Sequence, residues 1–172
     1  MALVPLKPTC CSSIDSTNDA CVIIEACFQG YLNLVPRRAY PDELLAKSGN
    51  VFVYEGHSSG IELWQDNVVW GPAEPLHGFL VYDELKKLFS CKGLSVDYRA
   101  YTIKVGGLVK KTFTAMIGRV SLHLVAYHTK ADGVREPRAP ILRRIVPRLG
   151  MIPVDPNRLM PWDNGKEKMS WK

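Results

Sequence analysis

Residues 109–126 read Val109-Lys110-Lys111-Thr112-Phe113-Thr114-Ala115-Met116-Ile117-Gly118-Arg119-Val120-Ser121-Leu122-His123-Leu124-Val125-Ala126. Gly118-Arg119 lies between Ile117 and Val120 as a two-residue loop with glycine first, the type II′ hairpin arrangement, because glycine reaches positive φ without a steric penalty. On the second arm Val120, Leu122, Leu124 and Ala126 alternate with Ser121, His123 and Val125, the period of a strand with one apolar face. The first arm, Val109 to Ile117, has strand composition throughout. Two long antiparallel strands therefore anchor the second half of the chain.

Working outward, Tyr98 to Val105 also has strand composition and is set off from Val109 by Gly106-Gly107. Upstream, Val51-Phe52-Val53-Tyr54 is apolar on both faces, as a central strand would be, and Phe79-Leu80-Val81-Tyr82 predicts another. Ile61-Glu62-Leu63-Trp64 and Val68-Val69-Trp70, joined through Asp66-Asn67, predict a second hairpin, and Pro72 and Pro75 an extended loop after it. Helical spacing occurs at Ala20, Ile23, Ile24, Cys27 and Phe28, with Ser16 or Thr17 to cap it, Asp19 in its first turn and Gly30 to stop it. Pro41-Asp42-Glu43 suits the first turn of a short helix running to Lys47 and ending at Gly49, and Leu85, Leu88 and Phe89 continue at helical spacing. Helices and hairpins mix without regular βαβ alternation or a fixed repeat, so the class is α+β.

At 172 residues the chain is long enough to bury roughly 70% of its unfolded surface. Hydrophobic residues make up 47% and charged residues 23%, which excludes a wholly disordered or coiled-coil chain. No apolar run approaches the roughly 18 to 20 residues of a membrane-spanning helix, and Met1 to Leu6 is too short for a signal-peptide core, so no membrane partner is expected. The five cysteines, Cys10, Cys11, Cys21, Cys27 and Cys91, contain no C-x-x-C pair and suggest neither a disulfide framework nor a zinc site. Cys27 falls on the apolar stripe of the first helix and reads as a small core hydrophobe rather than a nucleophile.

Charge is unevenly divided. Residues 1–90 carry 6 basic and 11 acidic side chains, whereas residues 91–172 carry 16 and 6. Arg135, Arg138, Arg143, Arg144 and Arg148 are interleaved with Pro137, Pro140 and Pro147, so positive charge accumulates where regular structure is interrupted. Such clustering suits a polyanionic partner, with a merely solvated basic surface as the bland alternative. No nucleophile elbow, phosphate loop, zinc-deaminase or H-E-x-x-H signature occurs, and no catalytic residue, metal or cofactor is expected. Of the histidines, His57 and His77 fall in loops, while His123 sits in a strand among apolar neighbours and reads as a hydrogen-bonded structural residue.

A series of ordered blocks remains: Ile24-Glu25-Ala26-Cys27, Val35-Pro36-Arg37-Arg38, Ser48-Gly49-Asn50-Val51-Phe52-Val53-Tyr54-Glu55, Ser59-Gly60-Ile61-Glu62-Leu63-Trp64-Gln65-Asp66, Gly78-Phe79-Leu80-Val81-Tyr82, Gly107-Leu108-Val109-Lys110-Lys111-Thr112-Phe113 and His123-Leu124-Val125-Ala126-Tyr127. In this order the blocks resemble the WOPR box of fungal transcription regulators that control morphological switching, development or virulence. The resemblance covers residues 17–132, and the chain ends soon afterwards, as a short regulator or a fragment of a longer one would. It implies one mostly antiparallel sheet built from two interdigitated sequence segments, flanked by helices and loops. The corresponding division is an N-terminal arm over 1–14, a first segment over 15–90, a second segment with the basic Arg/Pro stretch over 91–152, and a flexible tail over 153–172.

The resemblance further implies sequence-specific binding of double-stranded DNA in the nucleus, with a loop of the first segment entering the minor groove of an A·T-rich site. A narrow, electronegative groove rewards inserted cations. Arg37 and Arg38 match a basic pair and would reach phosphate or groove edge, with a solvated surface pair as the alternative. Lys110, Lys111 and Thr112 match a block suited to phosphate contacts, although strand alternation puts the two lysines on opposite faces so that only one would reach DNA. Arg135 and Arg138 would add phosphate contacts. Trp64 reads as a buried anchor of the loop rather than a base-stacking residue, while Gln65 and Asp66 suit either a base edge or a turn. Glu62-Leu63 and Gly71-Pro72-Ala73-Glu74 depart from the family pattern, which has cations there. A fold retained for a protein partner or a homodimer, with weak DNA binding, is the alternative function.

Overall fold

The computed structural model describes residues 4–88 and 101–130 and the backbone of 159–161. Cys91, the junction expected at 92–95, Arg135, Arg138 and the rest of the basic stretch lie outside the described residues, as does the tail apart from 159–161.

The expected hairpin forms the centre of the molecule. Strand β7 (Leu108–Ile117) and strand β8 (Val120–Thr129) pair in continuous antiparallel register from Leu108↔Thr129 to Ile117↔Val120. Gly118 takes φ 62 and Arg119 keeps negative φ, as a type II′ turn requires. Strand β2 (Asn50–Glu55) pairs with the outer side of β8, and β1 (Cys10–Cys11) extends that edge. Strand β4 (Phe79–Asp83) pairs with the other side of β7, followed by β3 (Glu74–Leu76). The order β1-β2-β8-β7-β4-β3 places the second-segment hairpin between strands of the first segment, which is the interdigitation expected. Strand β9 (Leu159–Pro161), three residues of the segment expected to be a flexible tail, pairs with Ala115–Ile117 of β7. Strands β5 (Leu85–Lys87) and β6 (Tyr101–Ile103) form a separate two-stranded ribbon.

Helix α1 (Thr17–Phe28) covers one face of the sheet. Its start is fixed by a capping box: Asp19 N–H donates to Ser16 Oγ (3.2 Å) and Ser16 N–H donates to Asp19 Oδ2 (2.9 Å), satisfying two donors that a helix end leaves open. It ends at Gly30 (φ 80) in a Schellman motif, with Gly30 N–H bonded to Cys27 O and Tyr31 N–H to Ala26 O. The stripe Ala20, Ile23, Ile24 and Cys27 packs on Val51, Val53, Phe113, Ala115, Leu122 and Leu124. Ile23 and Ile24 are fully buried, each contributing about 1.5 to 3 kcal/mol by removal from water. Burial pushes the Cys27 thiol up to about 12, so Cys27 is core, as its place in the stripe predicts.

The opposite face carries a second core of Val35, Leu45, Phe52, Tyr54, Ile61, Val125 and Tyr127, with Trp64 and Trp70 packed against it. Strand β2 thus buries Val51 and Val53 on one side and Phe52 and Tyr54 on the other, as a central strand does. A four-residue helix α2 (Gly56–Ser59) leads out of β2, capped by the Glu55 carboxylate. His123 stacks on Tyr54 and its Nδ1 lies 2.9 Å from Thr114 Oγ1, a structural histidine as expected.

Three local expectations are overturned. Residues 41–47 form a turn and irregular chain instead of a helix, because a segment this short is marginal as a helix and the bonds of Leu6 N–H and Arg37 to Glu43, with burial of Leu45, outweigh its propensity. Ile61 to Trp70 is not a hairpin: Asp66 draws backbone and side-chain donors inward, Asn67 takes φ 59, and only Trp70 bridges to Glu84. Leu85 belongs to β5 rather than to a helix, because pairing with β6 supplies its backbone partners.

Candidate nucleic-acid interface

The irregular segment 61–70 crosses the sheet face opposite α1, and its shape follows from where its polar groups find partners. Asp66 is 5% exposed and lies at the centre. Its Oδ1 accepts from Trp70 Nε1 (2.9 Å) and Val68 N–H (3.3 Å), and its Oδ2 accepts from the Tyr127 hydroxyl (2.6 Å) and Lys110 Nζ (3.3 Å). Tyr127 in turn accepts from Trp64 Nε1 at 2.6 Å. A buried carboxylate surrounded by donors is strongly fixed, since losing any partner leaves a desolvated group. Trp64 stacks on Tyr54 at 5.1 to 5.4 Å from the Phe52 and Tyr54 rings, so it anchors the loop. Burial and the neighbouring Asp66 push the Tyr127 hydroxyl far above its ordinary range, leaving it a permanent donor.

The expected contact residues separate into inward and outward groups. Lys110 is only 8% exposed, and its ammonium sits between the Trp70 ring (4.6 Å) and the Tyr82 ring (4.9 Å) while pairing with Asp66. Burial lowers its pKa and Asp66 partly restores it. Lys111 faces the α1 side, where its Nζ donates to Ile14 O at 2.8 Å; burial lowers its pKa against the attraction of Asp15 and Asp19. Thr112 is half-buried in β7, opposite Leu80 and Val125. The two lysines are on opposite faces, as alternation requires, but both ammoniums have partners within the fold.

Arg37 is likewise a clamp. Its two terminal nitrogens donate to the Glu43 carboxylate at 2.9 Å each, one also reaching Val4 O and the other Arg38 O, and its guanidinium lies 4.1 Å over the Tyr40 ring. Those bonds, with the Tyr40 and Leu6 N–H groups, hold the Glu43 carboxyl down at about 2. Arg38 differs. Its Nε donates to Gly60 O at 2.7 Å, but it is exposed, and its terminal nitrogens bond to no other described residue. Arg38, Ala39, Ile61, Leu63, Trp64 and Gln65 line one shallow recess. Gln65 and Glu62 are exposed, and Leu63 is 73% exposed. The structure therefore brings Arg38, Trp64 and Gln65 together and leaves Lys111 on the other side of the sheet.

Two residues that hold this surface escaped sequence reasoning. Tyr127 shares a face with Lys110 only because of the register Lys110↔Tyr127, which no local pattern encodes. Glu43 looked like a helix-start acid, and its partner Arg37 lies only six residues away, a signal that an isolated basic pair obscured.

Two interdigitated segments forming one sheet, with a rigid, polar-tipped loop locked on the face opposite the helix, define a WOPR-type α+β domain. The fold matches the WOPR domain of Wor1 from Candida albicans, solved in complex with a 17-bp double-stranded DNA, with a TM-score of 0.66 and 27% identity over 88% of this chain and 95% of that one. The chain belongs to the Gti1/Pac2 family, whose model matches residues 9–96. It is similar to several proteins named global transcription regulator sge1. The one from Gibberella fujikuroi is 48% identical over 88 residues, covering 50% of this chain and 26% of that protein. The one from Gibberella moniliformis is 44% identical, covering 74% of this chain and 55% of that protein. The chain thus spans about a quarter to about half the length of these relatives.

Proposed function

We propose that this chain is the DNA-binding module of a nuclear, non-enzymatic transcription regulator and that it reads A·T-rich duplex DNA through the minor groove. The observation that carries this reading is the likeness, over 88% of the chain, to a WOPR domain bound to double-stranded DNA. The geometry agrees with it. Segment 61–70 is held rigid from beneath while Arg38 and Gln65 stand at its surface, a guanidinium and an amide suited to base edges and to a narrow groove. Arg37 and Trp64 support that surface from within. Arg135 and Arg138 supply phosphate contacts by charge.

Fluorescence anisotropy with A·T-rich and G·C-rich duplexes of equal length, at several salt concentrations, tests the proposal. Tighter A·T binding that weakens steeply with salt is the expected result. Equal and weak binding to both would overturn it and favour the second reading, a docking surface for a protein partner. That reading is supported by Leu63, 73% exposed beside Glu62 on the same loop.

A further inference from the structure

Among the described residues, Lys110 is the one lysine that the fold encloses on the side of segment 61–70, and its surroundings are unlike those of a phosphate ligand. A lysine that contacts DNA backbone needs an ammonium that solvent and phosphate can reach. Here the ammonium is covered by two aromatic rings and paired with a carboxylate that is itself 5% exposed. That carboxylate also holds the Trp70 indole, the Val68 N–H and the Tyr127 hydroxyl, and the hydroxyl holds the Trp64 indole. Lys110 and Tyr127 meet at one oxygen of that carboxylate, Asp66 Oδ2, so the ammonium borders the atom through which the loop is tied to the sheet.

We propose that Lys110 is a positioning residue: through Asp66 and Tyr127 it fixes the conformation of segment 61–70, and it acts on DNA only through that segment. The charge is needed because Asp66 would otherwise be a desolvated carboxylate with neutral donors alone. The enclosure between Trp70 and Tyr82 supplies cation–π attraction that holds the ammonium where the carboxylate needs it. Lowering of the Lys110 pKa by burial agrees with an ammonium that the surrounding fold, not solvent, stabilises. The consequence for DNA binding rests on the function proposed above; the consequence for the loop does not.

The test therefore has one readout without DNA and one with it. The first is solvent exchange of the tryptophan indole N–H groups by NMR in the full chain. Lys110→Met is expected to speed exchange at the Trp64 indole at least tenfold, although Lys110 does not bond that group, while α1 amides keep their protection. Tyr127→Phe provides a second route should the first variant fail to fold: it is expected to speed exchange at the Trp70 indole, which the lost hydroxyl does not bond. The second readout is the salt dependence of binding to the A·T duplex. Affinity is expected to fall at least tenfold with an unchanged slope of log K against log salt. Unchanged Trp64 indole exchange in a folded Lys110→Met variant overturns the proposal, as does unchanged Trp70 exchange in Tyr127→Phe where the first variant does not fold. So does a slope shallower by about 0.9 in Lys110→Met, the signature of one lost phosphate contact. Wild-type protein that fails to bind DNA while the exchange results hold would refute the DNA reading and leave the positioning role standing.

Discussion

Replacing Asp66 with asparagine changes one oxygen to an amide and leaves the shape of the side chain intact, so its effect isolates the polar network from packing. The carboxylate accepts from four donors. An amide offers one oxygen and a donor group, so in either orientation two of the four donors meet another donor. Each lost bond costs about 1 to 1.5 kcal/mol. Lys110, 8% exposed, also loses its counter-charge, and removing one member of a buried pair typically costs about 3 to 5 kcal/mol. Release of the lysine proton caps the second cost, so a total of about 3 to 4 kcal/mol is expected, or a fall in Tm of roughly 6 to 16 °C for a chain of this size. The pH dependence gives a second check. The folded-state pKa of Lys110 is already below the unfolded value, and Asp66 opposes that shift. In Asp66→Asn the folded pKa falls further, the unfolded state then binds the extra proton over a wider range, and stability rises with pH up to the unfolded value of about 10.4. The deficit against wild type should therefore shrink as pH rises from 7 towards 10, measured by urea denaturation followed through tryptophan fluorescence. A variant within about 1 kcal/mol of wild type at pH 7, or a deficit that grows with pH, would refute the network as described.

Further outcomes follow from the same structure. Ser16→Ala removes the cap of α1 and should cost about 1 kcal/mol in urea denaturation, since the Asp19 N–H loses its acceptor. The Glu43 carboxyl, held at about 2 in the folded state against about 4.3 unfolded, contributes stability that is complete above about pH 5 and is lost as pH falls towards 2; acid titration should show roughly 1 to 2 kcal/mol of that loss abolished in Glu43→Gln, after discounting for the part-exposed Arg37 partner. Arg38→Ala should weaken A·T-duplex binding about tenfold or more by anisotropy, with stability changed by less than about 1 kcal/mol, because the side chain is exposed and its only described bond is to Gly60 O. The double change Glu62→Lys with Leu63→Arg should leave Tm nearly unchanged and steepen the salt slope by up to about 1.8, two phosphate contacts' worth.

How much of this was legible beforehand depended on whether local chemistry or distant pairing decided the element. Helix α1 was readable because its cap, its apolar stripe and its glycine stop all lie within fifteen residues and agree with one another. The β7–β8 hairpin was readable for the same reason: a glycine-first turn between two alternating arms leaves one register. Strand β2 declared itself by being apolar on both faces. The segment 61–70 did not, because its alternating residues are pulled out of strand geometry by Asp66, whose two partners on the sheet lie 44 and 61 positions away. The same distance hides the surroundings of Lys110. Sequence shows a basic residue in a basic block; only the register that brings Tyr82 and Tyr127 to either side of it shows that its charge is consumed internally. Glu43 was hidden only in part by distance: Arg37 lies six residues away, but the Leu6 N–H that also holds its carboxylate lies 37 away.

That division has a consequence for how such a surface can change. Residues that set the shape of the segment, Trp64, Asp66, Trp70, Tyr127 and Lys110, are buried or half-buried and mutually bonded, so altering one disturbs the others. Residues at its surface, Arg38, Glu62, Leu63 and Gln65, bear little of the fold's stability, because each is exposed. Chemistry at the tip can therefore be exchanged, cations for an acid and an apolar side chain, while the platform beneath keeps its geometry. The acidic character of residues 1–90 is then no obstacle to a retained fold, and what it alters is the electrostatic attraction between the segment and its target. A change of that kind moves affinity and salt dependence without moving the backbone, which is why the Glu62 and Leu63 substitutions and the Lys110 substitution should leave opposite signatures: the first in the salt slope with the loop intact, the second in the loop with the slope intact.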